Sequence, residues 1–396
     1  MPSSSARDRG GRRRKGFVVS ENVLTNVRIV LEDGVETGTL CIRDGRIAAI
    51  DLGASALPGA QDCDGDHVAP GLIDLHTDAL ESHFVPRPNV VCPDHLAAAL
   101  AHDALTVAAG VTTVFDAICA GGFDQAKSVR RELFSVMLDA VEANAGLFRA
   151  DHRIHLRCEL TDPGVVDLVA PELSRPGVGL ASLMDHTPGT RQWRNLEHLR
   201  TYLLGIGKTA EDVEDELKER TERGRAAVAE NFDRLAGLLR ETDIVLASHD
   251  DTTPDHVADA QAAGCTISEF PTTLEAARAA KAAGLTTIGG GPNVVRGGSH
   301  SGGVAMKDLA AEGLLDALAS DYVPASLIQA VAVLAKSGAM PLHAAMALVT
   351  SAPARMAGLD DRGRIATGLR ADLVRFRFVE DTPVIREVMV AGNRVF

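Results

Sequence analysis

The chain has 396 residues, 45% of them hydrophobic but 4% aromatic, and a formal net charge of −14 at pH 7. That charge argues against general binding to nucleic acid or to a membrane surface, and no apolar run is long enough to span a bilayer. An anionic substrate stays open, because bound cations and a local Arg cluster can reverse the field within a pocket.

The length suits one large α/β domain plus a smaller one, with a core resting on Ala, Val, Leu and Ile. Cys41, Cys63, Cys92, Cys119, Cys158 and Cys265 form no Cys-x-x-Cys. They read as reduced thiols of a cytoplasmic protein.

Residues 1–16 are basic and rich in Ser and Gly, without an apolar signal core, and are expected to form a disordered tail. Residues 17–69 carry short strand patterns at Val23–Leu31, Gly38–Ile42 and Arg46–Ile50. Turns at Glu32-Asp33-Gly34 and Arg43-Asp44-Gly45 separate them.

Residues 70–358 alternate between strand and helix. Strands are expected at Leu72–Leu75, Thr112–Asp116, Ile154–Glu159, Val178–Met184, Ile244–Ser248, Thr266–Glu269, Thr286–Gly289 and Asp316–Ser320. Helices are expected at Leu96–Ala109, Phe123–Ala145 and Leu274–Ala283, and a highly charged insert, Thr209–Glu241, has the spacing of a long amphipathic surface helix or helix pair. Strand patterns return in residues 359–396, at Ala371–Arg377, Val384–Val390 and Asn393–Phe396. The fold class is therefore α/β: a (β/α)8 TIM-like barrel with a small β-sandwich formed by both termini.

In such a barrel the chemistry sits at the C-terminal strand ends. The polar residues there are His76, Asp78, Asp116, Glu159, Asp185, His186, His249 to Asp251, Glu269 and Asp321. His76 and Asp78 are two apart, so on extended chain both point to one side. Each residue alone has an ordinary explanation, such as a loop histidine or a helix-capping Asp. Together His76, Asp78, Glu159, His186, His249 and Asp321 supply the nitrogen and carboxylate ligands of a centre for two divalent ions, Zn, Mn or Fe.

Longer motifs narrow this. The segments from His76-Thr77-Asp78 to Ser82-His83, Pro86-Arg87-Pro88, Met184 to Gly189, Ser248 to Thr253, Glu269 to Thr273, Pro292 to Gly302 and Ser320 to Pro324 resemble the amidohydrolase superfamily. Within it they resemble the phosphonate metabolism protein M family, the diphosphatases of the carbon–phosphorus lyase pathway. The resemblance covers roughly residues 20 to 396. It implies hydrolysis of α-D-ribose 1-methylphosphonate 5-triphosphate to the 5-phosphate and diphosphate.

Three departures from the wider superfamily are visible. The first motif is His76-x-Asp78 instead of His-x-His, a feature the narrower family shares. No Lys stands at a suitable strand end, which leaves Glu159 as the bridging ligand. His186 and His249 follow the fourth and fifth expected strands, where the usual scheme has the fifth and sixth.

For a triphosphate ester, Asp321 is the expected general base. The run Gly289 to Gly303 is the expected phosphate cradle, with Arg296 as its guanidinium. Arg87 lies between two prolines and is a second phosphate ligand candidate; His83, Arg191 and His300 are weaker ones. Asp250, Asp251 and Glu269 are expected either to bind ribose hydroxyls or to orient the metal-binding histidines.

The expected partner is thus a small-molecule sugar triphosphate, with no nucleic acid and no membrane, and a homo-oligomer is left open. The alternatives are hydrolysis of a cyclic amide, deamination of a nucleobase, or a non-catalytic scaffold. The glycines and Arg296 count against a neutral ring, and the retained ligand set counts against a scaffold.

Overall fold

Strands from both chain ends are hydrogen-bonded into one sheet. The early ones are β1 (Glu21–Val30), β2 (Val35–Arg43), β3 (Arg46–Leu52), β4 (Gln61–Asp62) and β5 (His67–Pro70). The computed structural model describes residues 21–87, 90–122, 125–205, 207–299 and 301–396. The expected tail, Pro88, Phe123 and His300 lie outside the described residues.

The barrel follows as β6 (Leu72–Thr77), β7 (Val111–Ala120), β8 (Asp151–Glu159), β9 (Val178–Met184), β10 (Val245–His249), β11 (Ile267–Glu269), β12 (Thr286–Gly290) and β13 (Ala317–Ala319). Each expected barrel strand is present, within a few residues at its ends. Neighbouring strands pair in parallel and in chain order. The chain then returns to the first sheet with β14 (Leu373–Val379), β15 (Thr382–Val390) and β16 (Asn393–Arg394). There β14 pairs with β5 and β5 with β1, so the termini do meet. Leu24, Ile29, Leu40, Val68, Leu373 and Met389 form their shared apolar cluster.

The barrel closes in two ways along one seam. Near its base, Leu348 and Val349 stand between the edge strands: Leu318 N–H donates to Leu348 O at 2.9 Å and Ile73 N–H to Val349 O at 2.8 Å. At the mouth β6 and β13 meet directly. Asp321 N–H donates to His76 O, and Asp78 N–H to Asp321 O, each at 2.9 Å. Buried Asp74 spans the same seam by accepting from Ser320 N–H at 3.0 Å and His76 N–H at 3.3 Å. Burial pushes its carboxyl up to about 7.

Helices cover the barrel. They include α1 (Ala79–Phe84), α2 (His95–Ala108), α3 (Gln125–Ala143), α4 (Val165–Val169), α5 (Leu196–Gly205) and α6 (Ala210–Leu239). After them come α7 (Pro254–Ala263), α8 (Leu274–Ala282) and α9 (Gly291–Arg296). The charged insert is one continuous helix. Thr209 caps α6 reciprocally with Asp212, and Val213, Leu217, Gly224, Ala227, Asn231 and Leu235 form its buried stripe. Asn231 Nδ2 donates to Leu160 O at 2.8 Å and Asp162 O at 3.0 Å, which fixes the turn just beyond Glu159.

Inside the barrel, period-two alternation puts Ile73, Leu75, Phe115, Leu180, Ala247, Ile267, Ile288, Ala317 and Ala319 in one apolar plug. Continuing the same inward faces toward the mouth brings His155, Arg157, Glu159, Ser182, His249, Glu269 and Asp321 over that plug. The odd positions of β8 are thus polar and inward, while Ile154, Leu156 and Cys158 pack outward against helices. Asp116 is not at the mouth as expected. It points out of the wall, where it meets His102 of α2 at 2.6 Å and His152 at 2.8 Å.

Candidate metal centre

Strand β6 ends at Thr77, so Asp78 is not on extended chain beside His76. It takes φ −98° and ψ 11° and heads α1. The backbone bonds to Asp321 across the seam keep it at the mouth nonetheless. Asp250, Phe270 and Asp321, each just past a strand, adopt φ between 53° and 56°. Their N–H groups still extend the ladders: Asp250 donates to Glu269 O, Phe270 to Ile288 O and Asp321 to His76 O. Left-handed backbone at non-glycine residues is costly, and here it lets the chain turn away while the side chain stays over the barrel.

The histidines are oriented by carboxylates. His76 Nδ1 donates to Glu269 Oε1 at 3.0 Å, with both side chains buried. His186 Nδ1 donates to Glu159 Oε2 at 2.6 Å. In each ring this leaves Nε2 as the nitrogen suited to a metal. The rings of His76 and His249 lie 5.7 Å apart, and those of His249 and His186 5.8 Å apart. Asp250 Oδ2 is 3.0 Å from His249 Nδ1 and 3.7 Å from His186 Nε2. Both atoms of the first pair are buried, and the two groups act on each other's charge. Arg191 Nη1 donates to His249 O and to Asp251 Oδ1, both at 2.8 Å, and so pins this strand end.

All six expected ligands are gathered at this mouth, but they are not equivalent there. His186, His249 and Asp250 offer ligand atoms within 4.8 Å of one another, as do His76, His155 and Glu269. Glu159 spends one oxygen on His186 and the other on Thr161 Oγ1. Asp78 Oδ2 faces Arg157 Nη1 at 3.4 Å. Asp321 is nearly buried, and burial together with the charge of Asp78 pushes its carboxyl up to about 7. Burial, followed by the nearby Arg157 and His249 charges, holds His76 well below its ordinary value, so it is a neutral donor. This donor set, with His186, His249 and Asp250 offering imidazole and carboxylate ligand atoms within 4.8 Å of one another, fits a divalent ion of the Zn, Mn or Fe type.

A cavity of about 130 Å³ lies over the centre. It is lined by Arg157, His186, His249, Asp250 and Asp321, together with Asn293, Arg296 and Ser299 of the glycine-rich segment. Other expected contacts fall elsewhere. His83 Nδ1 bonds Ala79 O within α1, and its ring stands 5.6 Å from His102 on the outer layer. Arg87 is exposed, bridges to Val90 and does not line the cavity. Glu269 is too buried to meet a ribose, since Ser182 Oγ takes its second oxygen at 2.6 Å. Asp250 lines the cavity and also stands beside the rings of His249 and His186. His155, Arg157 and Ser182 are absent from the expected set, although the alternation His155-Leu156-Arg157-Cys158-Glu159 carried the signal.

A sequence profile of the amidohydrolase family matches residues 220–396. The chain is also 43% identical over 383 residues to the alpha-D-ribose 1-methylphosphonate 5-triphosphate diphosphatase of Escherichia coli strain K12, covering 94% of this chain and 100% of that one. The chain belongs to the amidohydrolase family. Within that family it falls in the branch of this diphosphatase. Among solved amidohydrolase-like structures, N-isopropylammelide isopropylaminohydrolase from Burkholderia multivorans superposes with a TM-score of 0.64 at 18% identity, over 95% of this chain and 98% of that one. The 5-methylcytosine deaminase from Klebsiella pneumoniae gives 0.64 at 16% identity, over 94% and 98%. These two establish a shared fold. The family's barrel and β-rich terminal sheet are the architecture described above, and its histidines follow the fourth and fifth strands in this chain.

Proposed function

We propose that the chain hydrolyses α-D-ribose 1-methylphosphonate 5-triphosphate to the 5-phosphate and diphosphate, at a centre holding two divalent ions. The observation that carries this reading is the 43% identity to a diphosphatase along that protein's full length. A second support is the cavity, which is lined both by carboxylates and imidazoles and by Arg296 and the glycine-rich segment. A neutral ring has no use for such a cationic wall, whereas a triphosphate does.

In this reading His76, Asp78, His186, His249, Asp250 and Asp321 hold the ions, while Glu269 and Glu159 orient His76 and His186. When bound, the ions lower the pKa of water and offset phosphate charge. Asp321 aims the attacking water at the α-phosphorus and takes its proton. The backbone of Gly298 and the side chains of Ser299 and Arg296 meet the outer phosphates. The substrate is a small molecule, and the site is proposed to work in the cytoplasm.

The test is a comparison of kcat/KM for the ribose phosphonate triphosphate, ATP, a cyclic amide and a nucleobase, with diphosphate and ammonia as readouts. Preference for the ribose phosphonate triphosphate supports the assignment. Ammonia release from the nucleobase, or ring opening of the amide, with no diphosphate from either triphosphate, overturns it.

A further inference from the structure

Arg157 stands on the inward face of β8, between the positions of His155 and Glu159, and its side chain is 15% exposed. Asp78, Glu81 and Asp321 all act on its charge, and it lines the cavity beside His186, His249 and Asp321. A guanidinium carries a planar fork of N–H donors and no acceptor. Among the described residues, its hydrogen bonding amounts to one long contact, 3.4 Å from Nη1 to Asp78 Oδ2. Its Nε is wholly buried and meets no acceptor among the described residues. Burying donors without acceptors is costly, so a guanidinium kept in this state at a cavity wall is matched to an anionic ligand.

We propose that Arg157 is a catalytic residue that donates to a non-bridging oxygen of the α-phosphoryl group. This rests on the triphosphate reading above. In the step it serves, water oxygen forms a bond to the α-phosphorus and its proton passes to Asp321. The bond from that phosphorus to the α,β-bridging oxygen breaks, and its electron pair leaves with diphosphate. Charge spreads over the non-bridging oxygens in the transition state, where a fixed guanidinium in a dry site opposes it most strongly. Arg157 also separates substrates. A planar amide or nucleobase offers no tetrahedral oxygen set to its fork, and its positive charge gives no help to a neutral leaving group.

The experiment compares the wild-type chain with Arg157→Lys and Arg157→Met, measuring metal content, circular dichroism, kcat, KM and the affinity for inorganic tripolyphosphate. Arg157→Lys is expected to stay folded with unchanged metal content, to lose about 100-fold or more in kcat, and to bind tripolyphosphate about tenfold more weakly. Arg157→Met is expected to lose more in both. A kcat within threefold of wild type in either variant overturns the proposal. Loss of metal or of fold in Arg157→Lys also overturns it, since Arg157 would then only support Asp78. The tripolyphosphate arm is independent of turnover. A wild-type chain inactive on the ribose triphosphate sinks the functional reading, whereas unchanged tripolyphosphate binding in Arg157→Lys sinks the arginine proposal.

Discussion

His76 and Glu269 are 193 residues apart in sequence, yet their side chains meet at 3.0 Å beneath the barrel mouth with neither exposed to solvent. This contact fixes which imidazole nitrogen His76 presents to the cavity. Glu269→Gln keeps the size of the group and removes its charge. Metal affinity is expected to fall about 10- to 100-fold, with the fold retained. Competition against a chelator of known affinity checks this, and an unchanged affinity would show that Glu269 does not orient His76.

Asp321 is assigned to proton transfer as well as to metal binding. Asp321→Asn keeps the backbone bonds that close the seam, because they run through the peptide groups of His76 and Asp78. The variant is expected to hold its metal while kcat drops by about 100- to 10,000-fold. Metal analysis beside single-turnover kinetics separates the two roles. Joint loss of metal and rate would make Asp321 a ligand alone.

The long helix α6 reaches the centre through Gly224. A Cβ at that position would lie 2.1 Å from Thr187 Oγ1 and 2.9 Å from Thr187 Cβ, next to His186. Thr187 is branched at that carbon and cannot swing clear by a rotamer change alone. Gly224→Ala is therefore expected to cost about 1–3 kcal/mol and to lower kcat by shifting the His186 loop. Thr187→Ala in the same chain should restore much of both. Failure of that rescue in a denaturation and activity series would show that the clash is absorbed elsewhere.

Behind the barrel wall, His152 lies between Asp116, at 2.8 Å, and Asp103, at 3.4 Å. Burial alone would lower its pKa, but Asp116 and Asp103 outweigh burial and raise it from 6.5 to about 9. A raised folded-state pKa means the folded chain binds the proton more tightly than the unfolded one. The stabilisation is therefore full below pH 6.5 and is lost as pH rises through about 9. Denaturation midpoints between pH 6 and 10 should fall more steeply for wild type than for His152→Gln. Parallel pH curves would contradict the charged assignment.

The barrel was legible in the sequence because its strands are short apolar runs separated by helix-length patterns. The insert was legible as helical from its apolar spacing, which left one helix or a pair open; the structure makes it a single helix, capped at its start by Thr209 and Asp212. The facing of individual strands was not. β7 is buried along both faces, so nothing in Val111–Ala120 marks Asp116 as outward. In β8 the polar positions do alternate, and reading that period to its end would have added His155 and Arg157 to Glu159. Asp78 was placed by its spacing from His76, but what holds it is the seam to Asp321, a contact across more than 240 residues that local pattern cannot reveal. Arg87 and His83 were chosen for their chemistry, but His83 bonds back within α1 and Arg87 lies exposed beyond it, and neither lines the cavity.

The most direct measurement is phosphorus NMR of the products of α-D-ribose 1-methylphosphonate 5-triphosphate, with the chain as purified, after chelation, and after return of Mn²⁺ or Zn²⁺. The account predicts α-D-ribose 1-methylphosphonate 5-phosphate and diphosphate in equal amounts, abolished by chelation and restored by metal. Orthophosphate as the first product, or turnover that survives chelation, would contradict it.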